Sequence, residues 1–382
     1  MIPDSSESRS VVIVGGYGVV GSQVASLLAA RDPQLELLIA GRDAIKAAAV
    51  ADTLPRAQAV AVDLNDIDPL HGLSQLPDLV LCAANDLHDK LLRACAARGV
   101  ALIDITRWPA RIQDALRVLP AVSGAEAPVV LASSWMASVP ATLAAYVARG
   151  MHRVTSVEID ILYALADRAG PDSVAYLDRL ATPFEAMVDG EWVRRRPFAE
   201  SARVAFDGAG HATTYRFDTP DQMTLPAITG AGSVTARIAF DDAWATGALA
   251  LLIRSGIWRL ISGPRFAGLR RRMLYNPGEG GHHRIRIQFS GRDAQGAGVS
   301  RELILDDPAG QTHLTAVGAV IQIERVMGLR GHERAAVPEG AQYAEAVTDG
   351  ALAVETLRQC GVEVAGLDAT AGADGEPGRR AA

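Results

Sequence analysis

Lysine is almost missing from this chain: Lys46 and Lys90 are the only two among 382 residues. Arg42 and Asp86 stand four positions before them, which excludes the Tyr-x-x-x-Lys pair of short-chain dehydrogenases. Cysteine is scarce too. Cys82, Cys95 and Cys360 are too few and too scattered for a disulfide framework or a thiolate zinc site, so a reduced, cytoplasmic setting is expected. There is no H-E-x-x-H or spaced Cys/His cluster, and no metal site is expected. Positive charge is not in excess: 37 Lys and Arg against 44 Asp and Glu leave a net charge of −7. That balance offers no general attraction to phosphate backbones, so no nucleic-acid partner is expected. The longest apolar-rich stretch, at 243–262, is interrupted by Arg254 and Arg259. It falls short of the roughly 18 uncharged residues of a spanning helix. The opening MIPDSSESRS lacks the basic and apolar blocks of an export signal, and none is expected.

What is present has the mix of a globular protein, with 49% hydrophobic and 21% charged residues. The length suggests two domains. VVIV at 11–14 is a β-branched run ending in glycines, which reads as a buried parallel strand. A helical stretch follows from Val19 to about Arg31. Further strands are expected at 35–40, 57–64, 78–84, 100–106 and 128–134, with helices near 43–53 and 86–98. Six strands alternating with helices predict a complete doubly wound parallel sheet. Beyond about residue 150 the rhythm changes to strand after strand, including a Gly-rich hairpin over 284–306. The fold class expected is α/β: a Rossmann domain over 1–145, then an α+β substrate domain on a mainly antiparallel sheet over 146–311. Residues 312–328 and 340–360 regain helical periodicity, and 312–365 is expected to return as helices to the first domain. The small, polar tail 366–382 is expected to be disordered.

Gly16, Gly18 and Gly21 in GGYGVVG satisfy G-x-G-x-x-G, between an apolar strand and an apolar helix. One glycine permits the tight turn, one lets the backbone approach a pyrophosphate, and one lets helix and strand pack closely. Tyr17, Val19 and Val20 complete the loop, where helix N-terminal amides would face the phosphates. A ligand-free glycine turn is the bland alternative. NAD-specific domains end the second strand in Asp or Glu about 20 residues on, to hold the ribose 2′-OH. Here Ala40 and Gly41 stand there, followed by Arg42. A small residue leaves room for a 2′-phosphate and Arg42 offers it a charged fork, so NADP(H) is favoured over NAD. An ordinary surface arginine is the competing reading.

The succession GGYGVVG, IAGRD, LVLCAANDLHDKLLRACAARGVALIDITR and VVLASSWMASVPATLAAYVA resembles the saccharopine dehydrogenase-like reductases, as does TPDQMTLPAITG at 219–230. The specific motifs lie in the first 145 residues. The resemblance implies a Rossmann fold, a nicotinamide cofactor, and a small-residue turn after the fourth strand, here Ala83-Ala84-Asn85. It also implies an Ala94-Cys95 pair and a strand-end motif at Asp104-Ile105-Thr106. Relatives act on amino-acid-derived imines or enoyl lipids. Where many carry a Gly-Phe-Asp-Ser-like turn after the sixth strand, this chain has Ser134-Trp135-Met136-Ala137.

Strand carboxyl ends hold the ligand in open α/β sheets. Asn85, His88, Asp104 and Trp135 are therefore candidates for catalysis, and Asp63, Ala83, Ala84 and Thr106 join the loop, Gly41 and Arg42 as cofactor-site candidates. Each has a plainer reading: Asn85 as a turn former, His88 as a first-turn helix residue, Asp104 as a strand-end carboxylate, Trp135 as interdomain packing. Arg107 could clamp a substrate carboxylate or make a surface ion pair. Tyr215, Arg216 and Gln222 are second-domain candidates for facing the cleft. The segment 241–275 reads as a helix with its polar face in water; a helix bordering an apolar tunnel or resting on a membrane is the sharper alternative. The expected function is hydride transfer between NADP(H) and a C=N, C=O or activated C=C bond of a small or lipid-like molecule, by a homodimer. The alternative is a non-catalytic nucleotide-sensing or assembly protein.

Overall fold

The computed structural model describes residues 9–122, 127–167, 178–262, 264–266, 278, 280–333 and 339–367. The tail from 368 onward, where disorder is expected, lies outside the described residues.

The first sheet is built from β1 (Ser10–Val14), β2 (Glu36–Gly41), β3 (Ala57–Ala61), β4 (Leu79–Cys82), β5 (Ala101–Arg107) and β6 (Pro128–Ser133). All pair in parallel in the order β6-β5-β4-β1-β2-β3, the doubly wound arrangement with its switch point between β1 and β4. β1 and β4 are buried on both faces, which is why they read as unbroken apolar runs rather than alternating ones. Helix Val19–Arg31 turns Val24, Ala25 and Leu28 onto this sheet.

The second sheet begins with β7 (Arg153–Tyr163). A separate hairpin, β8 (Phe184–Val188) and β9 (Glu191–Arg195), follows. Then come β10 (Ser201–Phe206), β11 (Gly210–Arg216), β12 (Ser233–Phe240), β13 (His283–Arg292) and β14 (Gly298–Asp307). The expected hairpin is present: β13 and β14 pair antiparallel, and Ile285, Ile287 and Phe289 alternate into the core. The sheet is mainly antiparallel, with one parallel pair, β12 against β7.

The C-terminal segment serves both sheets rather than the first alone. Residues 340–343, expected to be helical, form β15 (Gly340–Tyr343), which adds in parallel to the edge of β6. Four residues are too few to carry a periodic signal, and pairing with Pro128–Leu131 decides their state. β16 (Glu363–Ala365) pairs with β14 at the edge of the second sheet. Between the two sheets, helix Gln311–Met327 is buried along nearly its whole length because it joins two cores. Leu314, Val317 and Ile321 pack with the second sheet, and Ala316, Ala319, Val320 and Ile323 with the first.

A further difference lies at helix Ala243–Arg254. Its buried side is Thr246, Leu249 and Ala250, while Trp244 and Leu251 point to solvent. The outer face is therefore not the polar one the sequence suggests. Among the described residues no helix is long and apolar enough to cross a membrane.

Candidate dinucleotide site and its surroundings

The glycine loop follows β1 at the sheet's switch point. The residue in the left-handed region is Gly15 (φ +82°), one position before the G-x-G-x-x-G pattern. Both Gly15 and Gly16 amides donate to the Ala40 carbonyl, at 2.9 and 3.1 Å, tying the turn to the end of β2. A Cβ on Gly21 would lie 2.3 Å from the Gly15 oxygen, so the helix can start this close only without one. Gly18 caps the helix in extended backbone with no capping side chain, and Gly18 and Val19 are exposed. The first amides of helix Val19–Arg31 thus open to solvent, as an anion cradle requires. A pyrophosphate fits this turn.

Tyr17 folds back over Gly41: a Cβ there would stand 2.3 Å from Tyr17 Cε1. The space the sequence assigned to a 2′-phosphate is filled by this ring. Arg42 is exposed just past β2 and makes no ion pair among the described residues, so its guanidinium is free to meet an anion from outside the strand end. Asp63 stands nearby and accepts from the Asn65 amide and Nδ2, both at 2.9 Å. The Asn65 amide holds its carboxyl below the usual range, with Arg42 and Lys90 adding to the effect.

Ala83 and Ala84, after β4, touch the same turn: a Cβ on Gly15 would meet the Ala83 oxygen at 2.9 Å and Ala84 Cβ at 3.1 Å. Asn85 is half-buried beside them. His88 is exposed and precedes its helix, which begins at Lys90 rather than near 86. The Cys82 thiol donates to the Ala84 carbonyl at 3.0 Å, and burial pushes it far above the usual thiol range. It is an inert core residue.

Asp104 is fully engaged. Its Oδ1 accepts from the Thr106 amide (2.9 Å) and Oγ1 (2.8 Å), and its Oδ2 from Arg107 Nε at 2.6 Å. Arg107 is buried rather than at the surface, and its Nη1 reaches Asp89 at 2.7 Å. Arg111 completes the network on Asp89. Arg107 therefore ties the end of β5 to the start of helix Lys90–Ala97, and its buried Nη2 has no hydrogen-bond partner among the described residues. Trp135 packs edge-on to Phe217, centroids 5.0 Å apart, inside the core shared with the second sheet. In that sheet Arg216 is buried against Gln222, Glu200 and the Val234 carbonyl, while Tyr215 stacks on Phe198.

Sequence reasoning missed a carboxyl pair beyond the end of β6. Asp221, in helix Pro220–Thr229, is 1% exposed, and it has no cation beside it, only the Thr219 and Ser133 hydroxyls and the Glu345 carboxyl among the described residues. Burial first, then the Glu345 carboxylate, pushes its pKa up to about 8; the nearby Thr219 and Ser133 hydroxyls pull the other way. Glu345 accepts from Thr224 Oγ1, leaves its second oxygen unpartnered, and is also raised by burial. Two acids this deep cannot both ionise cheaply. Only the acidic residue in TPDQ hinted at this, and nothing in the sequence linked it to Glu345.

Just after β6, Met136, Ala137 and Ser138 are buried with φ of 48°, 46° and 65°. Three non-glycine residues in the left-handed region concentrate strain where the sheet meets the second domain.

These features define a dinucleotide-binding α/β protein with a second sheet domain. Residues 11–142 match the family described as Saccharopine dehydrogenase NADP binding domain, as the motifs suggested. That match supports a nicotinamide-using oxidoreductase. Among solved structures, the chain is similar to saccharopine dehydrogenase (L-Glu forming) from Saccharomyces cerevisiae. The identity is 15% and the TM-score 0.67, over 94% of this chain and 100% of that one. A myo-inositol dehydrogenase from Corynebacterium glutamicum is more distant, at 14% identity and a TM-score of 0.47 over 92% and 95%. At such identities the likeness is one of fold. A search of curated proteins gave no match.

Proposed function

We propose that this chain moves hydride between NADP(H) and a C=N, C=O or activated C=C bond of a small or lipid-like molecule. The observation that carries the reading is the Gly15–Gly21 turn opening a helix N-terminus at the sheet's switch point. Amides of Val19 and Val20 would hold the pyrophosphate, and Arg42 would select the 2′-phosphate. Ala83, Ala84 and Asn85 line the next strand end, where small side chains let a flat ring lie on the backbone. When bound, the nicotinamide supplies or takes the hydride. The protein's part is to orient, exclude water and manage a proton. Trp135 and Phe217 seal the core behind β6. The acid we assign to this end of the sheet is Asp221, whose pKa is pushed up to about 8 by burial and the Glu345 carboxylate, beside the Ser133 hydroxyl of β6.

Calorimetric titration with NADPH tests the reading, and saturable binding in the micromolar range is the expected result. No heat at high micromolar cofactor defeats it. Binding without oxidation of NADPH by any imine, ketone or enoyl substrate in a panel would turn it toward a nucleotide sensor.

A further inference from the structure

The exposed face of helix Ala243–Arg254 has a composition that a solvated surface does not need. Trp244 is 88% and Leu251 69% exposed, at positions one helical face apart by seven residues. The adjoining helix Ile257–Ile261 buries Trp258 and turns Ile257 and Leu260 outward, with Leu260 75% exposed. Elsewhere Ile45 and Ile67 are exposed singly, which is ordinary. Here the apolar side chains cluster on two consecutive helices.

Charge accompanies them. From 243 to 266 the chain has three arginines, Arg254, Arg259 and Arg265, and no acidic residue, although the whole chain carries −7. The two preceding acids, Asp241 and Asp242, are exposed and keep their charge, so residues 241–266 carry a net charge of +1. Asp242 caps the helix by accepting from the Ala245 amide, and Asp241 accepts from the Leu165 amide. A basic, tryptophan-bearing apolar face of this kind suits the boundary between anionic headgroups and acyl chains. A second copy of the chain is a poorer occupant. A two-fold interface would have to cover Arg254 and Arg259 of both copies with only Asp241 and Asp242, at the opposite end of helix Ala243–Arg254, to answer them.

We propose that the surface formed by Trp244, Leu251, Ile257 and Leu260, with Arg254 and Arg259, docks the protein on an anionic lipid surface. Apolar side chains enter the headgroup boundary while the guanidiniums pair with lipid phosphates. The docking is peripheral and reversible, and it does not depend on which reaction the protein performs.

Co-sedimentation of the full chain with vesicles tests this, comparing phosphatidylcholine alone with phosphatidylcholine carrying about one third phosphatidylglycerol. Pelleting with the anionic vesicles only, weakening as salt rises, is the expected result. The double variant Trp244→Ser/Leu251→Ser should bind at least about tenfold more weakly, and Arg254→Gln/Arg259→Gln should lose the anionic preference. All four side chains are exposed or at the helix end, so unchanged thermal melting and NADPH binding serve as controls. Failure of wild-type protein to pellet with anionic vesicles, or variants that pellet like wild type, overturns the proposal. So does sedimentation velocity showing a dimer that Trp244→Ser/Leu251→Ser separates, since a second copy would then cover the face.

Discussion

The ring of Tyr17 lies on Gly41, and the Asp43 amide donates to Tyr17 Oη at 3.3 Å. The contact joins the cofactor loop to the end of the second strand, so the two halves of the expected dinucleotide site are tied to each other. A side chain at position 41 would drive the ring off, because the overlap is with the rigid aromatic edge. Gly41→Val should raise the Kd for NADPH at least about tenfold, or ~1.4 kcal/mol. Pairing it with Tyr17→Ala should recover part of the loss. Fluorescence titration of NADPH reads both, and an unchanged Kd in Gly41→Val would detach this contact from cofactor binding.

Arg42 carries the choice between cofactors. A guanidinium on a phosphate is a charge-assisted bond of ~1.5–3 kcal/mol. Arg42→Ala should therefore weaken NADPH by about tenfold to a hundredfold and leave NADH nearly unchanged. The NADPH loss should shrink at high salt because the residue is exposed. Equal losses for both cofactors would reverse the assignment.

The parallel sheet was legible because runs such as VVIV and LVLC are buried on both faces and need no partner to be recognised. The loop was legible as a pattern, though its left-handed residue proved to be Gly15, since several registers fit a string of four glycines. What could not be read were meetings between distant residues. Gly41 looked like room for a phosphate until Tyr17 was seen in that room. Arg107 looked like a surface cation until Asp104 and Asp89 enclosed it. Asp221 and Glu345 belong to different segments, and only packing onto the end of β6 makes them a pair. The edge strand Gly340–Tyr343 escaped for the same reason.

The left-handed turn after β6 depends on Gly318 of the long central helix. A Cβ there would stand 2.6 Å from the Met136 carbonyl and 2.7 Å from Val139 Cγ2. The carbonyl belongs to a turn already in costly backbone space, so it cannot yield easily. Gly318→Ala should lose ~1–3 kcal/mol in urea melts. Ala137→Gly should gain about 1 kcal/mol by removing a left-handed penalty. Opposite signs in the two variants are the expected pattern; stabilisation by Gly318→Ala would contradict the packing.

Asp221 makes stability depend on pH. Its folded pKa of about 8 lies above the ordinary 3.8, so the folded state prefers the protonated acid. Stability is complete below about pH 4, where both states carry the proton, and is lost as pH rises toward 8. Four units correspond to an upper bound on the order of 5 kcal/mol. Asp221→Asn should melt like wild type near pH 4 and several degrees higher near pH 8. If Asp221 also delivers the proton, kcat should fall at least about a hundredfold. A stabilised variant with full turnover would leave it a structural acid only.

His283 imposes the opposite slope. It is fully buried on β13, neither ring nitrogen has a hydrogen-bond partner among the described residues, and its ring meets Tyr163 edge-on at 5.6 Å. Burial lowers its pKa from 6.5 to about 3, so the folded state holds it neutral while the unfolded chain protonates it. Stability is present above about pH 6.5 and drains away as pH falls toward 3. Phenylalanine keeps the ring's size and its contact with Tyr163 but cannot take a proton. His283→Phe should match wild type near pH 7 and exceed its melting temperature increasingly below pH 6. Parallel melting curves across that range would show that the imidazole has found solvent or a partner on acidification.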